Sequence, residues 1–219
     1  GEAVLRAADI AVPRDPSSAA FPMVAALLTP ASDITIPGIG MNPLRTGLIT
    51  TLQEMGGEIT LSNERAEGGE AVADLRVRHS HLHGIDVPAA RAASMIDEYP
   101  ILAIAATQAE GVTRMHGVSE LRVKETDRIA VVADGISAAG GSVIYDEDSM
   151  TVTGGNIAGG VTIVSQHDHR IAMSFLTLGM VSEAAITVTG CMTINTSFPD
   201  FALLMNGCGA AISAAEAIE

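Results

Sequence analysis

The hydrophobic positions of the chain fall into three apolar blocks, and an aspartate opens each block. The blocks begin at Asp15, Asp97 and Asp168 and continue with small and aliphatic residues. Aspartate is a favoured helix N-cap because its side chain accepts a hydrogen bond from a free N–H of the first turn, and Pro16 fits the first helical position. The pattern predicts three helices that are apolar on most faces and therefore buried.

A short run of β-branched residues follows each predicted helix and ends at a glycine. The runs are Asp33-Ile-Thr-Ile-Pro-Gly38, Gly111-Val-Thr-Arg-Met-His-Gly117 and Ala185-Ile-Thr-Val-Thr-Gly190. Such a run is typical of a strand that leads into a turn. Each block is therefore predicted to continue as a strand.

A second helix is predicted after each of these strands, and a glycine marks its end. The three stops read Met55-Gly-Gly-Glu-Ile59, Ala139-Gly-Gly-Ser-Val143 and Cys208-Gly-Ala-Ala-Ile212. Glycine at these positions supplies the left-handed backbone of a helix C-cap. The Ile or Val that closes each stop predicts the start of another strand.

The same order of elements thus recurs three times, at roughly residues 10–78, 82–153 and 161–213. Each unit reads β-α-β-α-β, with a further strand at Val72–Val77 in the first unit and at Met150–Val152 in the second. Asp caps and Gly stops occur in any α/β protein, but their constant order favours internal repetition. We expect one globular α/β domain (α+β in some schemes), with its helices inside and its sheets outside.

The composition of the chain argues against several classes of protein. The 219 residues are 47% hydrophobic and 17% charged, which argues against disorder. A net charge of −14 argues against nonspecific nucleic-acid binding, which needs many cations to displace counterions. The chain contains no uninterrupted apolar stretch of the length, about 20 residues, that a membrane span needs. With only two cysteines, Cys191 and Cys208, we expect no disulfide framework and a cytoplasmic, soluble protein. Because the chain begins at Gly1, we expect a processed product or a fragment.

The basic residues are few, and three of the twelve lie within seven residues: Arg122, Lys124 and Arg128. This segment is predicted to begin a helix that runs to about Ala138. Lys124 and Arg128 would then share one helix face, at the end where the helix dipole disfavours cations. A bound phosphate or carboxylate would relieve both penalties. The alternative is that Glu125 and Asp127 neutralise the cations on a solvated face.

Two further charged clusters lie at the starts of predicted helices. Asp168-His169-Arg170 again places a cation at a helix N-terminus, and Asp97-Glu98 supplies carboxylates. If the repeated helices point their N-termini at one surface, that surface attracts anions. An acid, a base and paired arginines around anionic ligands suit proton transfer on a phosphorylated substrate.

These segments also resemble a known family. The resemblance rests on Asp97-Glu-Tyr-Pro, Leu121-Arg-Val-Lys-Glu-Thr-Asp-Arg128, Asp168-His-Arg-Ile-Ala-Met-Ser-Phe, Thr196-Ser-Phe-Pro-Asp, Asp15-Pro-Ser-Ser-Ala-Ala-Phe-Pro and Met41-Asn-Pro-Leu-Arg-Thr-Gly-Leu. They are similar to the C-terminal half of the 5-enolpyruvylshikimate-3-phosphate synthase family, most of all its class II, glyphosate-tolerant type. The resemblance covers nearly the whole chain. It implies one domain, residues 1–219, of a two-domain enolpyruvyl transferase fold whose helix N-termini face the cleft between the domains.

The resemblance implies a reaction and a set of residues. The family moves the enolpyruvyl group of phosphoenolpyruvate onto the 5-hydroxyl of shikimate 3-phosphate and releases phosphate, without a metal or an organic cofactor. Asp97 aligns with the proton acceptor, which also binds shikimate 3-phosphate. Lys124 aligns with a residue that contacts shikimate 3-phosphate and shuttles the hydroxyl proton, and Glu125 with the residue that handles the proton at the methylene carbon. Arg128, Arg170 and His169 align with the phosphoenolpyruvate pocket.

The chain departs from the class I pattern at two positions, where Glu120 replaces an Asn and Thr196 replaces a Lys. The motifs of the family's N-terminal domain are missing from the chain, so we expect little turnover without that partner domain. Two alternatives remain: the sister transferase that acts on UDP-N-acetylglucosamine, and a non-catalytic anion-binding module.

Other polar motifs are not predicted to form sites. His79, His81 and His83 alternate but lack a further ligand nearby, so a solvated turn is preferred over a metal site. Cys191 and Cys208 are interpreted as small packing residues, and not as nucleophiles.

Overall fold

The computed structural model describes residue 7 and residues 9–214. The first part of the chain forms a helix, a strand, a helix and a hairpin. These elements are α1 (Pro16–Leu28), β1 (Asp33–Gly40), α2 (Gly47–Glu54), β2 (Glu58–Glu67) and β3 (Glu70–Arg78). The three strands form an antiparallel sheet in the order β1-β3-β2. Arg14, ahead of α1, forms a parallel bridge with Ile39 of β1.

The second part of the chain repeats this order with a longer sheet. Its elements are β4 (Asp86–Val87), α3 (Tyr99–Thr107), β5 (Val112–His116), α4 (Arg128–Ala138), β6 (Ser142–Tyr145) and β7 (Ser149–Thr153). The sheet has the order β4-β5-β7-β6, in which only the β4–β5 pair is parallel.

The third part repeats the order again with a smaller sheet. Its elements are β8 (Thr162–Val164), α5 (His169–Leu178), β9 (Thr187–Thr189), α6 (Ile194–Ser197) and α7 (Phe201–Gly207). β8 and β9 pair in parallel and form a two-stranded sheet. In all three parts, the segment before the first helix therefore pairs in parallel with the strand after it.

The first helices of the three parts form the centre of the molecule. α1, α3 and α5 contact one another, and every residue of α3 is buried. In α1, eleven of the thirteen residues are buried. Helices that are apolar all round can only be accommodated in this way. The outer strand β2, by contrast, exposes most of its residues. The predicted α/β fold of three repeated units, with helices inside and sheets outside, is confirmed, whereas the unit boundaries stay a prediction.

Two of the three predicted aspartate caps form. Asp15 accepts a hydrogen bond from the N–H of Ser18, and Asp168 accepts from those of Arg170 and Ile171. Asp97 does not cap a helix. It lies in a 3-10 turn, Ile96–Glu98, just ahead of α3, and its carboxylate pairs with cations instead.

Two predicted elements are wrong. The helix expected to begin at Arg122 begins at Arg128, where Asp127 caps it by accepting a hydrogen bond from the N–H of Ala130. The strand expected at Ile212 does not form. The side chain of Asn206 hydrogen-bonds both the N–H and the C=O of Ile212, which fixes this segment as a loop against α7.

None of the helices in the described part of the chain is long and apolar enough to cross a membrane.

Candidate functional site

A cluster of charged side chains joins the starts of α3, α4 and α5. We call it the Asp97 cluster, and its members are Asp97, Glu98, Glu120, Lys124, Glu125, Arg128, Asp168 and Arg170. Five of these residues were predicted from the sequence to share one surface, and the structure brings those five together.

Arg128 lies at the centre of the Asp97 cluster. It is the first residue of α4, and its side chain is only 1% exposed. Its guanidinium donates to Asp168 Oδ2 at 2.7 Å, to Asp97 Oδ1 at 2.9 Å and to Glu125 Oε2 at 2.5 Å. Burial alone would lower the pKa of Arg128, but these carboxylates outweigh it and raise the pKa. Arg128 is therefore a permanently charged buried cation, and such a cation requires partners of this kind.

Asp168 links Arg128 to the start of α5. Its carboxylate is fully buried, and its Oδ1 accepts from the N–H of Arg170 at 2.9 Å and of Ile171 at 3.3 Å. The same side chain holds Arg128 through Oδ2, where Thr126 also donates at 3.4 Å. One carboxylate thus fixes the start of α5 relative to the start of α4.

Arg170 is held on the turn that carries Asp97. Its Nη1 donates to the backbone oxygen of Asp97 and to Glu98 Oε1, both at 3.0 Å. Its Nη2 lies 3.9 Å from Asp97 Oδ2, which is beyond hydrogen-bond distance. Arg170 therefore faces the Asp97 carboxylate without bonding it.

Lys124 approaches Asp97 from a loop that is not helical. It follows a 3-10 turn, Ser119–Val123, and has extended backbone dihedrals. Its Nζ lies 2.8 Å from Glu120 Oε1 and 3.6 Å from Asp97 Oδ1. The hydrogen bond to Glu120, together with the charge of Asp97, raises the pKa of Lys124 against the opposing effect of burial. The expected pairing of Lys124 and Arg128 on one helix face is wrong, but both cations reach the same Asp97 oxygen.

The Asp97 carboxylate is therefore surrounded by three cations while its side chain stays 37% exposed. Burial on its own would raise the pKa of Asp97. The charges of Arg170, Lys124 and Arg128, with the hydrogen bond from Arg128, outweigh burial and lower it. Asp97 is a carboxylate at neutral pH, and it is accessible to a ligand.

His169 lies beside the Asp97 cluster, at the first position of α5. Burial and the charge of Arg170 lower the pKa of its imidazole, so it is neutral at pH 7. His169 and Arg170 line a cavity of about 140 Å³ between the starts of α1 and α5, with Asp15, Ser17, Ser18, Phe21, Met173, Ser197 and Phe198 as the other lining residues. A much larger cavity of about 960 Å³ lies beside the third sheet and contains no member of the cluster.

The charges of the Asp97 cluster do not balance. Three positive charges face five negative ones, a formal balance of −2. Each cation lies within 4 Å of at least one carboxylate of this chain. The surface therefore presents Lys124 and Arg170 to a ligand, whereas Arg128 is buried, and all three cations are already paired.

Arg122 is not part of this surface. Its guanidinium pairs with Asp127 at 2.6 Å, donates to the backbone oxygens of Asp146 and Glu147, and lies over the ring of Tyr145. Arg122 thus ties the loop that carries Lys124 to the turn between β6 and β7.

The remaining polar motifs lie outside the Asp97 cluster. The Thr196 hydroxyl donates to the backbone of Thr193 and contacts no member of the Asp97 cluster among the described residues. The His79 ring packs edge-on against His81, and its Nδ1 lies 2.9 Å from the backbone oxygen of Leu27. Within residues 9–214, no three His, Cys, Asp or Glu side chains are grouped so as to hold a metal ion.

The partners of two members of the site were not predicted from the sequence. Glu98 and Asp168 were seen as residues at helix starts, but no partner was assigned to either side chain. Their positions beside apolar helices could have indicated that each has a charged partner, because an ionisable residue that is buried there needs a counter-charge. Which arginine each one would bind depends on how α3, α4 and α5 pack, and the sequence does not give that.

Comparison of structures defines the class of the fold. The enolpyruvyl transferase NikO from Streptomyces tendae superposes with a TM-score of 0.69 at 16% identity, over 90% of this chain and 43% of that one. At this identity the likeness shows only that the two chains share a fold. An EPSP synthase from Acinetobacter baumannii superposes more closely, with a TM-score of 0.90 and 46% identity over 93% of this chain and 48% of that chain.

Sequence comparison then gives the family. The profile of EPSP synthase (3-phosphoshikimate 1-carboxyvinyltransferase) matches residues 1–205, so the chain belongs to the EPSP synthase family. The 3-phosphoshikimate 1-carboxyvinyltransferase of Parvibaculum lavamentivorans is 59% identical over 212 residues, which are 96% of this chain and 47% of the relative. That of Rhodospirillum rubrum is 58% identical over 97% of this chain and 48% of the relative. The chain thus spans about half the length of these relatives.

Proposed function

We propose that this chain forms one half of an enzyme that transfers the enolpyruvyl group of phosphoenolpyruvate to the 5-hydroxyl of shikimate 3-phosphate and releases phosphate. One observation carries the proposal: an accessible, ionised Asp97 lies within 4 Å of Lys124, Arg128 and Arg170. That geometry combines a proton acceptor with binding groups for anions, and the reaction needs both. The names of the relatives support the same reaction.

Each predicted site residue has its own role in the proposed reaction. Asp97 accepts the proton of the 5-hydroxyl while the hydroxyl oxygen attacks C2 of phosphoenolpyruvate. Glu125, which takes up a proton when the anionic substrates bind, delivers that proton to the methylene carbon, which gives a tetrahedral intermediate. Glu125 then removes a proton from the new methyl group, the C–O bond to phosphate breaks, and the proton held by Asp97 leaves with the phosphate.

The other site residues bind the substrates. Lys124 contacts shikimate 3-phosphate and assists the transfer of the hydroxyl proton. Arg128 and Arg170 bind phosphoenolpyruvate, and His169 lines the same pocket.

Substrate binding would make Asp97 a better base. The three cations lower its pKa, which weakens its ability to take a proton from a hydroxyl. Anionic groups of the substrates that pair with Arg170 and Lys124 would offset those charges and raise the pKa of Asp97 towards a useful value. The proton acceptor would thus become effective only when both substrates are bound.

The formal balance of −2 in the Asp97 cluster supports a division of the enzyme into two halves. Two anionic substrates need more positive charge than three paired cations provide. We infer that the N-terminal domain supplies the remaining cations and that this chain has little turnover alone. The finer assignments, namely residues 1–219 as the C-terminal domain and a cytoplasmic location, stay predictions.

The test joins this chain to the N-terminal half of the Parvibaculum lavamentivorans relative and measures phosphate release from the two substrates. That relative's own two halves, joined in the same way, are the positive control. We expect turnover from the joined protein and almost none from the 219-residue chain. Turnover in the control but not in the joined protein would contradict the proposal.

Two variants of the joined protein test the role of Asp97. Asp97→Asn keeps the shape of the side chain and should abolish turnover while phosphoenolpyruvate still binds. Asp86→Asn, an exposed carboxylate on β4, is the matched control and should leave turnover unchanged. Unchanged turnover in Asp97→Asn would contradict the assignment of Asp97 as the proton acceptor. Release of phosphate with UDP-N-acetylglucosamine as the acceptor, and not with shikimate 3-phosphate, would favour the sister transferase.

A further inference from the structure

Glu98 is a buried carboxylate with no direct role in the reaction above. It is 4% exposed and precedes the wholly apolar helix α3. A charge in such a place is costly unless it has a counter-charge. In the part of the chain that the structure describes, the cation within ion-pair distance of Glu98 is Arg170, whose Nη1 lies 3.0 Å from Glu98 Oε1.

The contacts of Arg170 show what this ion pair controls. Its Nη1 is shared between Glu98 Oε1 and the backbone oxygen of Asp97, so the guanidinium is attached to the turn at two points. Its Nη2 lies 3.9 Å from Asp97 Oδ2, and among residues 9–214 it has no hydrogen-bond partner. Arg170, whose side chain is 15% exposed, is therefore held at a distance at which its Nη2 and Asp97 Oδ2 form no hydrogen bond with each other.

Without Glu98, nothing of comparable charge would hold Arg170 in this position. A guanidinium released from Glu98 would close the 3.9 Å gap and form a direct pair with the Asp97 carboxylate. That pair would occupy the ligand-facing N–H groups of Arg170 and the oxygen that takes the proton. Binding of the anionic substrate and proton transfer would both suffer from a change at a residue that touches neither.

We propose that Glu98 is a positioning residue that holds Arg170 apart from Asp97, so that the cation can bind phosphoenolpyruvate and the carboxylate can accept a proton. The substrate named here rests on the proposed function. The position of Arg170 relative to Asp97 does not depend on that function, and it can be measured separately.

The first experiment observes Arg170 directly in the 219-residue chain. With ¹⁵N-labelled arginine, a guanidinium held at two points gives side-chain N–H signals that exchange slowly with water. We expect Glu98→Ala to shift the Arg170 side-chain signals, because the guanidinium then pairs with the Asp97 carboxylate, and Glu98→Gln, which keeps an acceptor oxygen, to leave them near their original positions. Glu54→Ala is the matched control, because it removes a carboxylate from the Arg91 pair outside the cluster. It should alter the Arg91 signals and leave those of Arg170 unchanged. Arg170 signals that are unaffected by Glu98→Ala would overturn the proposal.

The second experiment uses the protein joined to the N-terminal half. Glu98→Ala should raise the KM for phosphoenolpyruvate about tenfold and lower kcat, which corresponds to the loss of one charged hydrogen bond. Glu98→Gln should stay within about threefold of the unmodified protein, and Glu54→Ala should not change KM. Thermal unfolding of each variant measures how much protein is folded, so that the rates refer to folded enzyme.

The double variant separates positioning from general stability. In an Arg170→Ala background, Glu98→Ala should cause no further rise in KM, since its effect passes through Arg170. An equal rise in both backgrounds would overturn the proposal. If the unmodified joined protein has no turnover while the Arg170 signals still depend on Glu98, the proposed function fails and the positioning of Arg170 by Glu98 stands.

Discussion

The charged residues of the Asp97 cluster differ in how much the fold depends on them. Arg128 and Asp168 are both almost completely buried, and each is the other's main partner. Lys124 and Glu120 lie at the rim, where Glu120 is 62% exposed. A buried pair that loses one member leaves an uncompensated charge, whereas an exposed pair that breaks is replaced by water. The inner pair therefore stabilises the structure, in addition to the proposed role of Arg128 in binding phosphoenolpyruvate, and Lys124 at the rim is available to a ligand.

This difference predicts that two alanine substitutions lower the free energy of unfolding by unequal amounts. Arg128→Ala should lower the free energy of unfolding by about 3–5 kcal/mol, because it strands the Asp168 carboxylate. Lys124→Ala should lower it by less than about 1 kcal/mol, and in the joined protein it should still remove most of the turnover. Urea unfolding followed by circular dichroism measures the first quantity, and phosphate release measures the second. Equal stability losses for the two variants would contradict the division into an inner pair and a rim.

His169 predicts a pH dependence of stability. Burial and the charge of Arg170 place its pKa in the folded protein below the ordinary value of 6.5. Between these two pKa values the unfolded chain binds more protons than the folded one, so the free energy of unfolding falls as the pH falls through 6.5. The contribution is complete above pH 6.5, and it decreases until the pH reaches the folded pKa.

The substitution His169→Gln should remove this part of the pH dependence. Urea unfolding between pH 7.5 and 5 should show the unmodified chain losing stability on acidification relative to the variant. The control is His116→Gln, since His116 lies on β5 outside the cluster. A constant difference between the unmodified chain and His169→Gln across this pH range would contradict the prediction.

The identity of the site residues could be predicted from the sequence, but their pairing could not. Cations at helix starts, such as Arg170, stand out because the helix dipole disfavours them. The pairing of Arg128 with Asp168, forty positions further along, depends on the packing of α4 against α5. The open distance between Arg170 and Asp97 follows from a turn whose geometry the sequence does not indicate.

At the scale of elements, α1, α3 and α5 were predictable because their uniformly apolar sequences leave burial as the only option. The loop at 119–127 was not predictable. Its residues fit a helix, but Asp127 caps a helix that begins only at Arg128. Contacts from the β6–β7 turn hold the loop open, since Asp148 accepts from the N–H of Ser119, and Arg122 binds the same turn. Tertiary contacts of this kind override local helix propensity.

The packing of α4 on α5 gives a prediction at this scale. Gly135 of α4 lies against the fully buried ring of Phe175 in α5, and a methyl group at position 135 would overlap that ring. Gly135→Ala should therefore lower the free energy of unfolding by about 1–3 kcal/mol, despite the better helix propensity of alanine. Gly207→Ala in α7 is the control, because nothing lies within 4 Å of the added carbon, and it should be neutral or stabilising by about 0.5 kcal/mol. Differential scanning calorimetry distinguishes the two, and equal shifts would contradict the packing argument.

At the scale of the whole molecule, the net charge has the same sign as the expected ligands, which are anions. The chain carries a net charge of −14, and even its candidate site has a formal balance of −2. Anions would be bound here through a few directed contacts, with little help from the long-range field. Removing a carboxylate that pairs with a site cation should therefore strengthen anion binding far more than removing a distant one.

Glu120 and Glu183 allow this comparison at equal net charge. Glu120→Gln removes the main hydrogen-bond partner of Lys124 and frees Nζ for a ligand. Glu183→Gln removes the same charge from the opposite end of α5, where the carboxylate binds only Asn156 among the described residues. With inorganic phosphate as the probe and NMR titration of the 219-residue chain, we expect Glu120→Gln to tighten binding about threefold and Glu183→Gln to leave it unchanged. Equal tightening by both would mean that net charge, and not the pairing of Lys124, limits binding. No change in either would mean that Lys124 does not contact the anion.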